Sequence, residues 1–250
     1  MEGRKKMIID AHMHLGEDLM FNSNDNEEDI LRYMDENNVG GCILQTGLIT
    51  CDSKKANERI YQLSKKYPGK FWGILAISPY LNEEEYQNYV KWAVNDLGFV
   101  GLKLHTYAFC CPPTSPQAQK IYSAAEMFNL PVMVHTGNGI PAALPSLVLT
   151  PAKEHPNVKF ILAHSGNTMY AQEALITAQE CHNVYLETSW TTVMDKKKFV
   201  DQLGCERLMF GTDLPENCSV EIFKYKIIDL DEYQFNQIMY NTAKTVFNLK

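Results

Sequence analysis

The chain has 250 residues, 45% hydrophobic and 21% charged, the balance of an ordinary globular protein with length for one large domain. A formal net charge of −7, with no basic block longer than Lys196-Lys197-Lys198, argues against nucleic acid as a partner, because phosphate-binding proteins present a basic face. The early apolar run Met7-Ile8-Ile9 is cut by Asp10, too short for a secretion signal, and no stretch approaches the roughly 18 apolar residues of a membrane span.

Eight short apolar or β-branched runs read as buried strands in chain order: MIIDAHMH, GGCILQT, FWGILAIS, FVGLKLH, PVMVHT, KFILAHS, NVYLETS and RLMFGTD. They start at residues 7, 40, 71, 99, 131, 159, 183 and 207, spacings of 24 to 33 residues, which is one strand and one helix per step. The segments between them carry helix signals. In 53–69, Ala56, Ile60, Leu63 and Tyr67 share a face before Pro68-Gly69. Asn82 with Glu85 makes a capping pair for a helix whose apolar stripe is Tyr86, Tyr89, Val90, Ala93 and Leu97. Ser115 followed by Pro116 opens the next. A C-terminal helix keeps helical spacing through Phe235, Ile238, Met239, Thr242, Val246 and Phe247. Eight such repeats predict an α/β fold, a (β/α)8 TIM barrel, spanning residues 1–250 as a single domain without linker or low-complexity tract.

Chemistry in this fold gathers at the C-terminal ends of the strands. His12 and His14, Lys103 and His105, His135, His164 and Asp213 all fall there, which accounts for five of the seven histidines. Residues two apart on a strand share a face, so His12 pairs with His14 and Lys103 with His105. The other two histidines, His155 and His182, precede strands and belong to the opposite rim. Imidazole nitrogens with a carboxylate suit Zn²⁺ and related divalent ions, and a catalytic site leaves a position open for water. A polar rim without an ion would have to gather five strand-end histidines by chance. The seven cysteines are scattered without Cys-x-x-Cys spacing, so free thiols and a cytoplasmic location are expected.

Taken together, DAHMHLG, GLKLH, PVMVHTG, FILAHSG and LGCERLMFGTDLP resemble, in order, motifs of the amidohydrolase superfamily, in its amidohydrolase-related branch of aminocarboxymuconate-semialdehyde decarboxylase type. The resemblance runs from about residue 7 to residue 249. It implies a distorted barrel lacking the extra β-sandwich of many relatives. It also implies one divalent metal, Zn²⁺ first and Mn²⁺ as an alternative, held by His12, His14, His135 and Asp213, with His164 as acid or base. Lys103 and His105 match a Lys-x-His near the substrate. Thr106 stands where a proline is frequent, and Lys103 lies where binuclear relatives carry a carboxylated lysine, which leaves a second metal as the lesser alternative.

Hydrolysis of an amide, ester or lactone of a small molecule is the expected reaction: a divalent ion lowers the pKa of bound water from 15.7 to about 7. In that reading Asp213 takes the proton of the water while His164 stabilises the oxyanion or protonates the leaving group. Non-oxidative decarboxylation is the alternative, and it would want an Arg fork for the carboxylate. None of Arg4, Arg32, Arg59 and Arg207 is placed by its sequence position at the barrel mouth. A partner subunit in a homodimer could supply one, as could Lys103 in its place. A barrel that keeps its metal only for folding is the third reading. Tyr107, Asn138 and Trp190, just past strand ends, are the expected substrate-pocket residues.

Overall fold

The structure is a computed structural model that describes residues 7–19, 22–47 and 52–250; Arg4 and Cys51 lie outside the described residues. The strands are β1 (Ile8–Asp18), β2 (Ser23–Asp25), β3 (Val39–Thr46), β4 (Phe71–Ala76), β5 (Gly101–Leu104), β6 (Val132–His135), β7 (Phe160–Ala163), β8 (Val184–Glu187) and β9 (Leu208–Met209). Between and after them run α1 (Glu27–Asn37), α2 (Ser53–Lys66), α3 (Glu83–Asn95), α4 (Pro116–Phe128), α5 (Leu149–Glu154), α6 (Ala171–Glu180), α7 (Val193–Leu203), α8 (Cys218–Ile227), α9 (Glu232–Asn236) and α10 (Thr242–Val246). All eight expected strands are present, and β1 with β3 through β9 form consecutive parallel pairs.

The seam between β9 and β1 closes the curl. Ala11 N–H donates to Phe210 O at 2.9 Å, Asp213 N–H to His12 O at 2.7 Å and His14 N–H to Asp213 O at 3.3 Å. Beneath these bonds the Asp10 carboxylate accepts from His12 N at 3.0 Å, Thr212 N at 3.1 Å and Thr212 Oγ at 2.5 Å. A register shift in β1 between Asp10 and Met13 lets the strand serve both neighbours. Such irregularities re-aim side chains beside functional sites.

The capping signals act as read: Asn82 accepts from Glu85 N at 2.9 Å, and Ser115 accepts from Ala118 N. Inside the lower barrel Ile9, Ala11, Ile43, Ile74, Met133, Ile161 and Met209 form an apolar plug, covered by Ala243, Val246, Phe247 and Leu249. The C-terminal segment is therefore the barrel's floor, with one π-helical turn (237–241) between α9 and α10. Helix faces such as Ile60 and Leu63, or Tyr86, Val90 and Ala93, pack outside the strands in a second apolar layer. No helix among the described residues is long and apolar enough to cross a membrane. The described cysteines are all free thiols.

The expectation fell short at β1 and β2. The first strand was expected to end at His14, but it continues to Asp18 and folds back as β2, pairing Gly16 with Asp25 and Asp18 with Ser23. Leu-Gly-Glu-Asp is too polar and short to read as strand, and the pairing is tertiary rather than periodic. This hairpin hangs over the barrel mouth.

Candidate metal and catalytic centre

Strand alternation turns the plug into a polar layer. Two residues beyond Ile43, Met133 and Tyr185 on their strands stand Gln45, His135 and Glu187, all buried. His12 and His14 come from β1, Lys103 from β5 and His105 from the residue after it. His164 and Asp213 follow β7 and β9 in left-handed backbone, with φ of 64° and 71°. A non-glycine residue in that region stores strain that the surroundings must hold, a recurrent property of functional sites. Asn138 and Trp190 share it, at 59° and 61°.

Hydroxyl side chains pin the rim. Thr106 Oγ donates to His135 O at 2.7 Å, Thr136 Oγ to Ala163 O at 2.7 Å, Ser165 Oγ to Glu187 O at 2.7 Å and Thr188 Oγ to Met209 O at 3.3 Å. Each follows a site residue directly and ties its strand end to the next strand. A proline at 106 could not make the first of these bonds.

Three donor atoms converge at the centre. His12 Nε2 lies 3.4 Å and His14 Nε2 3.2 Å from Asp213 Oδ1. Each ring is anchored at its other nitrogen: His12 Nδ1 meets Glu187 Oε2 at 2.8 Å, and His14 Nδ1 meets Thr46 O at 2.7 Å. Acceptors at both Nδ1 atoms require N–H there, which leaves both Nε2 lone pairs facing a carboxylate oxygen. Such a set of acceptors suits a cation. Lys103 Nζ, 3.3 Å from His12 Nε2, and Gln45 Nε2, 3.0 Å from His14 Nε2, are the donors beside it. The ring of His135 lies 4.4 Å from that of His105 and 4.9 Å from that of His164, and its Nδ1 is buried without a hydrogen-bond partner. Its Nε2 lies 3.4 Å from Asn138 Nδ2, and His135 is not among the residues whose donor atoms converge, so of the four expected ligands the structure gathers three. His12, His14 and Asp213 together satisfy the geometry of an ion site, as do His12, His164 and Glu187.

Electrostatics follow from burial. Burial lowers His164 to about 4, against the opposing pull of Asp213, and it holds His12, His105 and His135 well below the usual imidazole value. These rings are neutral near pH 7, the state in which imidazole binds metal or accepts a proton. Burial also brings Lys103 down to about 8. Burial alone would raise Asp213, but His164, His14 and His12 outweigh it and hold the carboxyl well below its usual range.

Above the centre opens a cavity of about 450 Å³, lined by His14, His105, His135, His164, Asp213, Tyr107, Asn138 and Trp190, with Asp18, Asp25 and Glu216 at its acidic side. The three expected pocket residues are thus all on its wall. Trp190 also donates its indole N–H to Asp213 Oδ2 at 2.8 Å. Lys103 is different: it is 1% exposed and sits below the cavity rather than on its lining. A larger cavity, about 780 Å³, lies beside α2 around Arg59 and holds none of the histidines.

Sequence reasoning missed Glu187, Ser189, Asp10 and the acidic hairpin residues. Glu187 had a signal, since it shares a strand face with Tyr185 and closes a strand as the histidines do. Asp10 had none beyond its place in the Asp-x-His-x-His run.

Residues 9–249 match the family model described as Amidohydrolase. A search of curated proteins finds no matching sequence. Among solved structures, 2,6-dihydroxybenzoate decarboxylase from Rhizobium superposes with a TM-score of 0.76 at 18% identity, over 98% of this chain and 99% of that one. 5-Carboxyvanillate decarboxylase from Novosphingobium aromaticivorans, complexed with manganese and 4-hydroxy-3-methoxy-5-nitrobenzoic acid, gives 0.76 at 14%, over 97% and 96%. A probable 2-pyrone-4,6-dicarboxylic acid hydrolase from Acinetobacter baumannii, with citric acid bound, gives 0.71 at 17%, over 96% and 99%. At these identities the likeness establishes the fold.

Proposed function

The chain belongs to the amidohydrolase family, and from that premise we propose that it is a metal-dependent hydrolase acting on an amide, ester or lactone of a small molecule. His12, His14, His135 and Asp213 would hold one divalent ion, Zn²⁺ first for an imidazole-rich set and Mn²⁺ as the alternative supported by the manganese-bound relative. Bound there, the ion supplies Lewis acidity, lowering the pKa of water to about 7 and polarising a carbonyl. Lys103 is read as a free amine.

His164 moves the proton in this reading. Its Nδ1 meets Ser189 Oγ at 2.8 Å, and that hydroxyl donates to Glu187, so Nδ1 carries the hydrogen and Nε2 is the basic atom. A neutral ring in that tautomer has no Nε2–H to offer an oxyanion. It accepts a proton from the attacking water and returns it to the leaving group. Asp213 has Oδ1 turned to the histidine pair and Oδ2 engaged by Trp190, so its part is to hold the ion and steady the indole wall.

The observation that carries hydrolysis over decarboxylation is the charge of the cavity wall. Besides Asp213, whose charge a bound ion would offset, Asp18, Asp25 and Glu216 line it, and none of the described lining residues is Arg or Lys. Burial first, and then the Glu216 carboxylate, raises Asp25 to about 6. A substrate carboxylate would meet repulsion there, whereas a neutral or amine-bearing ester, amide or lactone would not. Decarboxylation is the second reading, favoured by the two decarboxylases among the similar structures. Protein reconstituted with Zn²⁺ or Mn²⁺ and screened against lactones, esters, amides and hydroxybenzoic acids separates them. Turnover confined to the carboxylated aromatics would replace hydrolysis by the second reading.

A further inference from the structure

Glu187 is fully buried, and four donors converge on its carboxylate. Oε2 receives His12 Nδ1 at 2.8 Å, Ser189 Oγ at 2.9 Å and His164 N at 3.1 Å, while Oε1 receives Ser189 N at 2.6 Å. Ser189 Oγ in turn accepts from His164 Nδ1 at 2.8 Å. The backbone makes room for this group: a Cβ at Gly211 would stand 2.5 Å from Glu187 Oε1. Three donors saturate Oε2 and one holds Oε1. The carboxylate grips the His12 ring directly and the His164 ring through Ser189.

We propose that Glu187 is the positioning residue of the centre, fixing the tautomers of two rings at once. Directly at His12 and through Ser189 at His164, it holds both as Nδ1–H forms, so that each presents an unprotonated Nε2. The ring read as a metal ligand and the ring read as the base are thus set by one carboxylate. A single error there disables both.

The inference rests on the functional reading of His12 and His164, but its test does not. Side-chain ¹H–¹⁵N spectra of metal-free protein report which nitrogen of each histidine carries hydrogen, with single His→Gln variants giving assignments. Wild type should show Nδ1–H for both rings. Glu187→Leu removes the acceptor at His12 Nδ1 and should shift His12 toward the Nε2–H form, weakening Zn²⁺ binding, read by chelator competition, by about 10–100-fold. Ser189→Ala should release His164 into a mixture of tautomers while leaving His12 and Zn²⁺ affinity within about threefold. An unchanged His12 tautomer in Glu187→Leu, or an unchanged His164 in Ser189→Ala, overturns the proposal; if the first variant does not fold, the second decides. Failure of the wild type to turn over any substrate would instead remove the hydrolase reading and leave the tautomer result standing.

Discussion

The lower barrel interior is Ile9, Ile43, Ile74, Met133, Ile161 and Met209 above the floor of Phe247 and Leu249; two residues beyond Ile43 and Met133, and at the ends of β5 and β8, it becomes Gln45, His135, Lys103 and Glu187. The step between the two layers is about 7 Å at the strand rise of about 3.3 Å per residue. Apolar burial below stabilises the closed barrel, and that rigidity tolerates the buried polar groups and left-handed backbone above. The upper layer offsets its desolvation with hydrogen bonds to itself, the Asp10 and Glu187 carboxylates and the strand-end hydroxyls. The lower layer needs no such bonds. Stability and chemistry are thus separated along one set of strands, and each can be perturbed alone.

The largest expected effect lies in the upper layer. His164→Asn should lower kcat by about 10²–10⁴-fold, the usual worth of a positioned acid or base, while metal content stays near the wild-type value. His12→Ala should lose both activity and metal. Elemental analysis beside single-substrate kinetics reads the difference. Equal metal loss in the two variants would make His164 a ligand, and the separation of base from ligand would fail.

Next comes the seam that joins the layers. Asp10→Ala would strip the acceptor from His12 N, Thr212 N, Thr212 Oγ and Tyr33 OH. Buried donors left without partners cost about 1–3 kcal/mol each, softened by relaxation, so urea unfolding should show a loss of about 3 kcal/mol. A loss under about 0.5 kcal/mol, the range of a surface change, would mean that the seam is held by its backbone bonds alone.

The sequence made the plug and the histidines legible for different reasons. Strand spacing and capping pairs such as Asn82 with Glu85 are local, so eight strands and their helices could be read from periodicity. His12, His14, Lys103, His105, His135, His164 and Asp213 could be read because each ends a strand, where the fold puts its chemistry. Asp18 and Asp25 could not, because their place over the cavity depends on an antiparallel turn-back that no period encodes. Lys103 shows the finer limit: alternation correctly gave its face, but not its depth beneath His12. The Thr and Ser residues that follow His105, His135, His164 and Glu187 were in plain view. Their bonds to the next strand's carbonyl needed the sheet order to be recognised.

Within the upper layer the rings and the carboxyls answer pH in opposite senses. Burial holds His164 near 4 and keeps His12, His105 and His135 well below their ordinary value. The unfolded chain protonates such rings near pH 6.5, so below that pH it binds more protons than the folded state and stability falls. Asp10 and Asp25 act oppositely. Burial raises them to about 7 and about 6, so their contribution grows as pH falls from there toward about 4. Four rings against two carboxyls give a net loss in metal-free protein between pH 6.5 and 5. The urea midpoint should drop across that window, less steeply in His164→Asn. A midpoint that rises would show the carboxyls to dominate.

The smallest effect is expected at the opposite rim. His155 Nε2 meets Gln119 Oε1 at 3.2 Å, Glu126 Oε1 lies 3.1 Å from its Nδ1 without a hydrogen bond, and its ring packs against Tyr122. His182 is exposed in the turn before β8. Neither lines the cavity, and the apolar plug of Met133, Ile161 and Met209 stands between the floor and the polar layer. The side chains of that plug carry no hydrogen-bond donors, so removing either ring gives the centre nothing to respond to. His155→Ala and His182→Ala should each keep kcat/KM within about threefold, a barrier change of under about 1 kcal/mol. His155→Ala should cost some stability through its lost partners, and His182→Ala almost none. Steady-state kinetics beside a urea titration reads both quantities on the same samples. A hundredfold loss of activity with unchanged stability in either variant would mean that the plug transmits what happens at the floor, and that the two layers are one functional unit.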